Sequence, residues 1–476
     1  MGKFHRLKVE KKCIFLISFL FIMEIAYSQA NNKYTAATVD VGVARIDITP
    51  ESPVRLAGFA ARTKSESDKV LQRLSAKAVA FGSDEQHPSI LITVDLIGIQ
   101  WRVTSEIVER LSKNLGVKPA QIVICASHTH GGPEIGNLIN ILQCRGDYPK
   151  NFSFNDSLLS LDELKHMAQF NELLIKRLES VAMDALKDRK PALLTWGKKT
   201  ASFAENRRMD NGPVDHSLPV LFVSNPDGTL RAVLMNYACH GISLGADVND
   251  VHGDWMGEVQ KEIEARHPGV IAMISIGCSG DAHPKSRDDI KYAKLYAQEI
   301  SNSVDKLLKS KLQPLTVPPV GNMKWIKLPF SQVPTVQELL EYTKDKTIKG
   351  YYARLALERV LRGESIPSEL NYPIQTWSFG DKMVMINFGG EVVVDYSIRL
   401  KDEFDSERLW INSYSNDVSC YIASKRVIHE GGYEADASMY WYNMPSPFSE
   451  EVEDLIINTV HELIPATFKK SKMEKN

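Results

Sequence analysis

Apolar residues in this chain fall into short, nearly continuous runs separated by stretches of helical period. VGVARIDIT (41–49), AKAVAFGS (76–83), SILITVDLIGI (89–99) and IVICASHT (122–129) are rich in β-branched residues and too short for helices, so they predict strands with both faces covered. Residues 102–114 carry apolar positions at helical spacing, with Gly116 as the stop and Pro119 beyond it. A long amphipathic helix is predicted over 161–189. The run 219–240 reads as a hairpin about Asn225-Pro226-Asp227-Gly228. A strand at 269–277 leads into a helix at 287–310. Beyond these come a helix at 336–362, a second hairpin at 376–394 turning at Gly380-Asp381, a strand at 408–415 and a last helix from about 449 to 464.

Strands alternating with helices, together with hairpins, predict an α/β fold. The expected form is a single large domain (31–476) with mixed β-sheets flanked by helices. There is no internal repeat. The loosest stretches, 57–69, 134–160 and 310–320, do not read as domain linkers.

The first thirty residues depart from this pattern. Five basic residues (Lys3, Arg6, Lys8, Lys11, Lys12) precede an apolar run that Glu24 interrupts, and Ser28-Gln29-Ala30 ends it in small residues. That order predicts a cleavable secretory signal over 1–30 and a secreted or periplasmic protein, with no transmembrane segment after cleavage. Removing it takes the net charge from −2 to about −5, which offers no electrostatic basis for binding nucleic acid. The five cysteines beyond it are odd in number and widely spaced, so they are no disulfide framework.

The candidate chemistry sits where the apolar runs end. CASHTHGGPE (125–134) places two of the chain's 12 histidines, His128 and His130, two residues apart at a strand's C-terminal end. Side chains at that spacing share a face, and the Gly-Gly that follows leaves room for an approaching group. NYACHG ends a second run in His240. VHGDW brings His252 and Asp254 to the start of a helix, IGCSGDAHP brings Asp281 and His283, and NFGGE brings Glu391. Imidazoles and a carboxylate from separate strand ends suit a zinc site with an open coordination position. Ser279 in GCSGD lacks the second glycine of a nucleophile elbow, since Asp281 stands there. Nothing in the sequence marks Cys239 or Cys278 as an activated thiol.

VGVARIDITP with its following LAGF, then RLSAKAVAF and ASHTHGGP, resembles the neutral/alkaline (non-lysosomal) ceramidase family, and the resemblance runs in order over about residues 40–440. It implies one Zn2+ held by His128, His240, Glu391 and Tyr421, with Tyr433 twelve residues on as a second active-site tyrosine. It further implies that His130 lies beside the substrate, that Asn206-Arg207 contacts it, and that Asp254 matches an aspartate following the second ligand. The reaction implied is zinc-assisted hydrolysis of an amide (N-acyl) bond in a ceramide-like lipid. His130, His283 or Asp254 would move the proton, and Tyr433 and Arg207 would hold the substrate or its oxyanion.

Two departures bear on the substrate. The family carries serine in Gly-Asp-x-Ser-Pro where this chain has His283, and the residues after about 440 are too few for the family's additional C-terminal β domain. A zinc hydrolase removing acyl groups from a glycan or amino sugar therefore stands as an alternative. A non-catalytic binding protein with a relict zinc site is a further one.

Overall fold

A strand buried on both sides has no polar face to show, and the runs at 76–81, 89–94 and 122–126 are buried at nearly every position. In the computed structural model, which describes residues 37–59, 62, 66–135 and 160–470, they lie in one large sheet. The segment read as a signal, and most of the loose stretch 134–160, lie outside the described residues. From Val39 onward the chain clusters as one unit.

The first half supplies β1 (Val39–Asp47), β2 (Ser75–Phe81), β3 (Ser89–Val94), β4 (Ile122–Ala126), β5 (Lys190–Thr200), β6 (Ala204–Asn206), β7 (Ser217–Ser224), β8 (Leu230–Tyr237), β9 (Ile271–Ile276), β10 (Ala282–Pro284) and β11 (Gln313–Leu315). The main sheet runs β4-β3-β2-β1-β5-β7-β8-β9. Its end pairs, β3/β4 and β8/β9, are parallel, and the pairs between them are antiparallel. β1 pairs with only the first residues of β5, and β11 continues along β5 beyond them. The second half adds β12 (Val320–Pro329), β13 (Glu369–Phe379), β14 (Met383–Phe388), β15 (Glu391–Val392), β16 (Leu409–Asn412) and β17 (Tyr421–Ile422). A second mixed sheet runs β12-β13-β14-β16, and β15/β17 and β6/β10 are short pairs apart from it.

Alternation along the strands sets four layers. In β2, Ala76, Ala78 and Ala80 face the helices Leu161–Lys187 and Asp254–Arg266, with Leu178, Ala182 and Val259 in the same cluster. Val79 and Phe81 point the other way, into a layer shared with Trp377, Phe379, Met385 and Trp410 of the second sheet. Phe81 meets Trp377 and Phe379 edge-on, at centroid distances of 6.3 and 5.6 Å. The outer face of the second sheet (Ile374, Val384, Ile386) is covered by the helices Val394–Glu403 and Val452–Leu463.

The two sheets are stitched together at their strand ends. Leaving β16, the chain donates from Ser413 N to Ile276 O (2.8 Å) of β9. It accepts at Tyr414 O from Ala126 N (3.1 Å) of β4, and Asn416 N donates to Ile124 O (2.8 Å). β4 and β9 are the two edges of the main sheet, so one segment, 413–416, lies against both. Beside it the fully buried Asn412 accepts from Asn236 Nδ2 (2.9 Å), Ser275 Oγ (2.7 Å) and Trp410 Nε1 (2.8 Å) and donates to Asn387 Oδ1 (2.7 Å).

Three expectations change. The helix predicted over 336–362 is two, Val336–Tyr342 and Ile348–Leu361. Asp345 Oδ1 accepts from Thr347 N (2.7 Å) and Thr347 Oγ1 from Lys349 N, so local side-chain bonds replace the helical ladder between them. β5 and β12 escaped the pattern because Lys198, Lys199, Lys324 and Lys327 break their apolar runs. The 310–320 stretch contains β11. The four described cysteines are buried and unbridged, and among the described residues no helix is long and apolar enough to cross a membrane.

Replacing Asn412 with leucine keeps the volume but removes the acceptor that three buried donors share: Trp410 Nε1 is stranded, while Asn236 Nδ2 keeps Ser275 Oγ (3.1 Å) and Ser275 Oγ keeps Met235 O (3.3 Å). With one buried donor unmet and two weakened, we expect Asn412→Leu to lose about 2 kcal/mol in urea unfolding with an unchanged m-value. A loss under 1 kcal/mol would show that this network does not join the sheets.

Candidate metal centre

β4 delivers the first histidine. Ser127 N still pairs with Val94 O (2.9 Å), and the next residue, His128, takes a left-handed φ of 59° that swings its ring out of the strand. The turn that follows is strapped on both sides. Thr129 and Gly131 bridge to Gly241 and His252, and Thr129 Oγ1 donates to His252 O (2.7 Å). A Cβ on Gly131 would lie 2.5 Å from that same carbonyl oxygen, so the close approach needs glycine. The partner strap, at Gly241, directly follows His240, which stands past the end of β8. The pair of straps brings the two strand ends together: the rings of His128 and His240 lie 4.5 Å apart, and His128 Nε2 is 3.4 Å from His130 Nε2.

The carboxylate comes from the second sheet. Past β14, Gly390 turns the chain at φ 72°, and Glu391 N donates to Cys420 O (2.9 Å). Glu391 and Tyr421 are register partners in the parallel pair β15/β17. Their side chains therefore project to one side from neighbouring strands.

The polarity of the contacts is telling. His128 Nδ1 faces Ile97 O (2.7 Å) and His240 Nδ1 faces Ser279 O (2.8 Å), so in both rings Nδ1 carries the proton and Nε2 presents a lone pair. Those lone pairs point at Glu391 Oε2, at 3.3 and 3.2 Å. Oε2 receives no hydrogen bond, while Oε1 is held by the Tyr442 hydroxyl. Tyr421 Oη is 3.2 Å from His240 Nε2. Burial, then Arg207 and His128, push His240 down to about 4. Glu391 Oε2 thus faces two imidazole nitrogens in a buried site with no hydrogen-bond donor of its own, an arrangement that a cation satisfies. Among the described residues, one group of three His, Cys, Asp or Glu side chains has its ligand atoms all within 4.8 Å: His128, His130 and His240.

The other residues singled out in the sequence fall in three places. Arg207 joins the cluster, donating from Nη2 to Tyr421 Oη (3.1 Å), with Nη1 3.4 Å from His240 Nε2. Tyr433, 46% exposed, stands edge-on to Tyr421 at 5.5 Å, and the Arg207 guanidinium lies 5.4 and 5.6 Å from the two rings. His130 is held from above: Phe59 lies 4.7 Å from its ring, Arg62 donates to its carbonyl (2.9 Å), and Nδ1 has no partner. Burial above all keeps its pKa well below the ordinary histidine value, and a proton on His128 or His240 would push it the same way.

His283 lies further out. Across the β6/β10 pair it faces Glu205, with Nε2 3.2 Å from Oε1, two residues before Arg207 on β6. Asp254 points elsewhere. Its carboxylate accepts from the backbone of Ser243 (3.0 Å), Leu244 (3.1 Å) and Trp255 (2.7 Å), which ties the loop after His240 to the head of the helix Asp254–Arg266. Asp281 does similar work: it accepts from Asn206 Nδ2 (3.0 Å) and Val394 N (2.8 Å), and its carbonyl accepts from Arg207 N (2.9 Å).

Sequence reading missed Tyr442 on Glu391, Tyr414 (its ring 4.2 Å from that of His128) and Glu434, which accepts from Arg207 Nε at 2.7 Å. Each meets its partner across 50 or more residues of chain, and none stands in a motif. Glu434 alone had a local marker, the Gly431-Gly432 pair before it.

The chain was compared with known proteins by sequence and by fold. No curated protein matches its sequence significantly. Several solved structures share its fold, two of them ceramidases. One is neutral ceramidase from Pseudomonas aeruginosa, with 14% identity, a TM-score of 0.67, and 92% of this chain and 76% of that one covered. The other is described as a ceramidase complexed with C2, with 12% identity, a TM-score of 0.67, and 92% and 78% covered. The family model "Neutral/alkaline non-lysosomal ceramidase, N-terminal" matches residues 39–290, more than half of the chain and the part that carries His128, His130, Arg207 and His240, so this protein belongs to that family.

Proposed function

We propose that the chain is a zinc-dependent hydrolase that cleaves an amide (N-acyl) bond in a ceramide-like lipid. The observation that carries the reading is the buried, donor-free oxygen of Glu391 facing two imidazole lone pairs, within a family named for ceramide hydrolysis. His128, His240, Glu391 and Tyr421 are the residues that would hold the ion. Two neutral imidazoles, a carboxylate and a phenol form a donor set that zinc accepts. When bound, zinc supplies Lewis acidity, lowering the pKa of water towards ~7 and polarising a carbonyl oxygen.

The protein's own groups do the rest. His130, neutral because it is buried among imidazoles, turns Nε2 to the cluster and offers it to a water proton. Arg207 presents its two outer nitrogens towards Tyr421 and His240, where they donate to a developing oxyanion. Tyr433, half exposed at the rim, contacts the incoming substrate. As the new C–O bond forms and the C–N bond breaks, the departing nitrogen takes a proton; His283 is assigned to supply it and regains it from solvent, while His130 releases to solvent the proton it took from water. Asp254, saturated by backbone amides, positions the His240 loop in this scheme and leaves the proton transfer to the histidines.

His283 also supports a second reading of the substrate. An imidazole paired with Glu205 replaces the serine that the family resemblance leads one to expect, which favours an N-acyl or O-acyl compound other than ceramide, such as an acylated amino sugar. The signal-like segment 1–30 places the enzyme outside the cytoplasm in this proposal.

Three outcomes are expected. Elemental analysis should find one zinc per chain, lost in His128→Ala and in His240→Ala; full retention in both variants contradicts the ligand set. His283→Ala should keep its zinc and lose on the order of a hundredfold in kcat on the best substrate from a panel of ceramide, N-acyl amino sugars and acyl esters. Wild-type turnover would reduce His283 to a packing residue. Sequencing the protein exported by its native host should give a mature N-terminus near Asn31, and an intact Met1 on cytoplasmic protein rules export out.

A further inference from the structure

Arg207 reaches the cluster from a strand that ends one residue earlier, and something must decide where its guanidinium points. Its backbone is fixed by the bond to Asp281 O, but the side chain has four rotatable bonds and lies between two aromatic rings that hold it only face-on. The missing constraint comes from Glu434. Its Oε1 accepts from Arg207 Nε at 2.7 Å, and its Oε2 accepts from Arg208 Nη1, so one buried carboxylate (3% exposed) joins two successive arginines. The inner edge of the Arg207 guanidinium is thereby occupied, and only Nη1 and Nη2 are left to face His240 and Tyr421.

The backbone around Glu434 is built for this contact. Gly431 and Gly432 adopt φ of 69° and 90°, and the chain then enters a turn of π-helix, Tyr433–Ala437, a rare form that recurs at functional sites. Arg208 closes the structure from the other side, donating from Nη2 to Gly431 O (2.8 Å) and Glu430 Oε2 (3.1 Å). Tyr433, at the head of the same turn, places its ring against the outward side of Arg207. A turn that served packing alone would bury an apolar side chain at 434. This one buries a charge and spends both of its oxygens on arginines.

We propose that Glu434 is the positioning residue for Arg207. It fixes the rotation of the guanidinium so that the two outer N–H groups, and not Nε, face the reacting carbonyl. The proposal rests on the hydrolase reading for its kinetic consequence but not for its geometry, and the test separates the two. Glu434→Met removes both acceptors at nearly constant volume, and Glu434→Gln leaves one oxygen for two guanidiniums. Both variants leave His128, His240 and Glu391 untouched.

In protein labelled with 15N-arginine, the Nε–H of Arg207, assigned by its loss in Arg207→Gln, is expected to exchange slowly in the wild type and at least tenfold faster in Glu434→Met. With the best substrate of the panel, kcat should fall ten- to a hundredfold while KM stays within about twofold and the zinc content is unchanged, the size of loss that a misplaced group of this kind causes. The double variant Arg207→Gln/Glu434→Gln should be no slower than Arg207→Gln alone, because a residue that acts only through Arg207 has nothing left to act on.

Unchanged exchange at Arg207 Nε–H in Glu434→Met overturns the proposal whether or not any substrate is found. Additive losses in the double variant, or wild-type kcat in Glu434→Gln, overturn its catalytic half. Should Glu434→Met fail to fold, with no cooperative transition and no zinc, Glu434→Gln carries the exchange measurement under the same criterion. A wild-type enzyme without activity on the panel counts against the hydrolase reading and leaves the exchange result to decide the positioning role.

Discussion

Among the described residues, a buried carboxylate oxygen with no hydrogen-bond donor, facing two imidazole nitrogens, is the arrangement around which the site is organised. In water Glu391 would be solvated. Here Oε1 has the Tyr442 hydroxyl, and Oε2 has only the nitrogens of His128 and His240, whose protons are committed to Ile97 and Ser279. Removing a charge from water costs several kcal/mol unless a partner of opposite sign stands near. Much of the surrounding structure acts to hold these acceptors face to face. The straps at Gly131 and Gly241 resist their separation, Asp254 pins the loop after His240, and Asp281 ties β6 and the 394 helix to the loop that carries Ser279.

Four layers make that closeness possible. The histidines arrive on the main sheet, and Glu391 and Tyr421 arrive from segments beside the second. The histidines stand within a few residues of their strand ends, His128 two past β4 and His240 three past β8, and Glu391 stands three past β14. The polar network about Asn412 lies near those ends, where an apolar contact would fill the space without fixing the register of one sheet against the other. A sub-ångström slip between the sheets would open the 3.2–3.3 Å spacing of Glu391 from the histidines.

What could be read from the sequence follows the range of each signal. His128, His130 and His240 were visible because they end apolar runs, a local property. Glu391 and Tyr421 carried little by themselves and came into view through the order of motifs along the chain. Tyr442, Tyr414 and Glu434 left almost no trace, since each owes its place to a partner far away in sequence. The same distinction explains the fold. Strands covered on both sides announced themselves, whereas β5 and β12, with lysines on partly exposed faces, did not. The helix at 336–362 divided where side chains bonded to their own backbone, an effect that period alone does not register.

The segment 413–416 has a consequence for how the chain comes to be folded at all. It lies against both edge strands of the main sheet, yet it is made about 140 residues after the last strand of the β8/β9 pair. Until it arrives, β4 and β9 have open edges, and the face with Val79, Phe81 and Leu91 has no second sheet to cover it. The stretch 39–290 is thus a recognisable unit of ancestry without being a unit of folding. Contacts of such long sequence separation close late and slowly, so the nascent main sheet must be kept from pairing with other chains while synthesis continues. His128 and His240 wait in that incomplete sheet for Glu391, so the donor-poor cluster closes late in the making of the protein rather than serving as its nucleus.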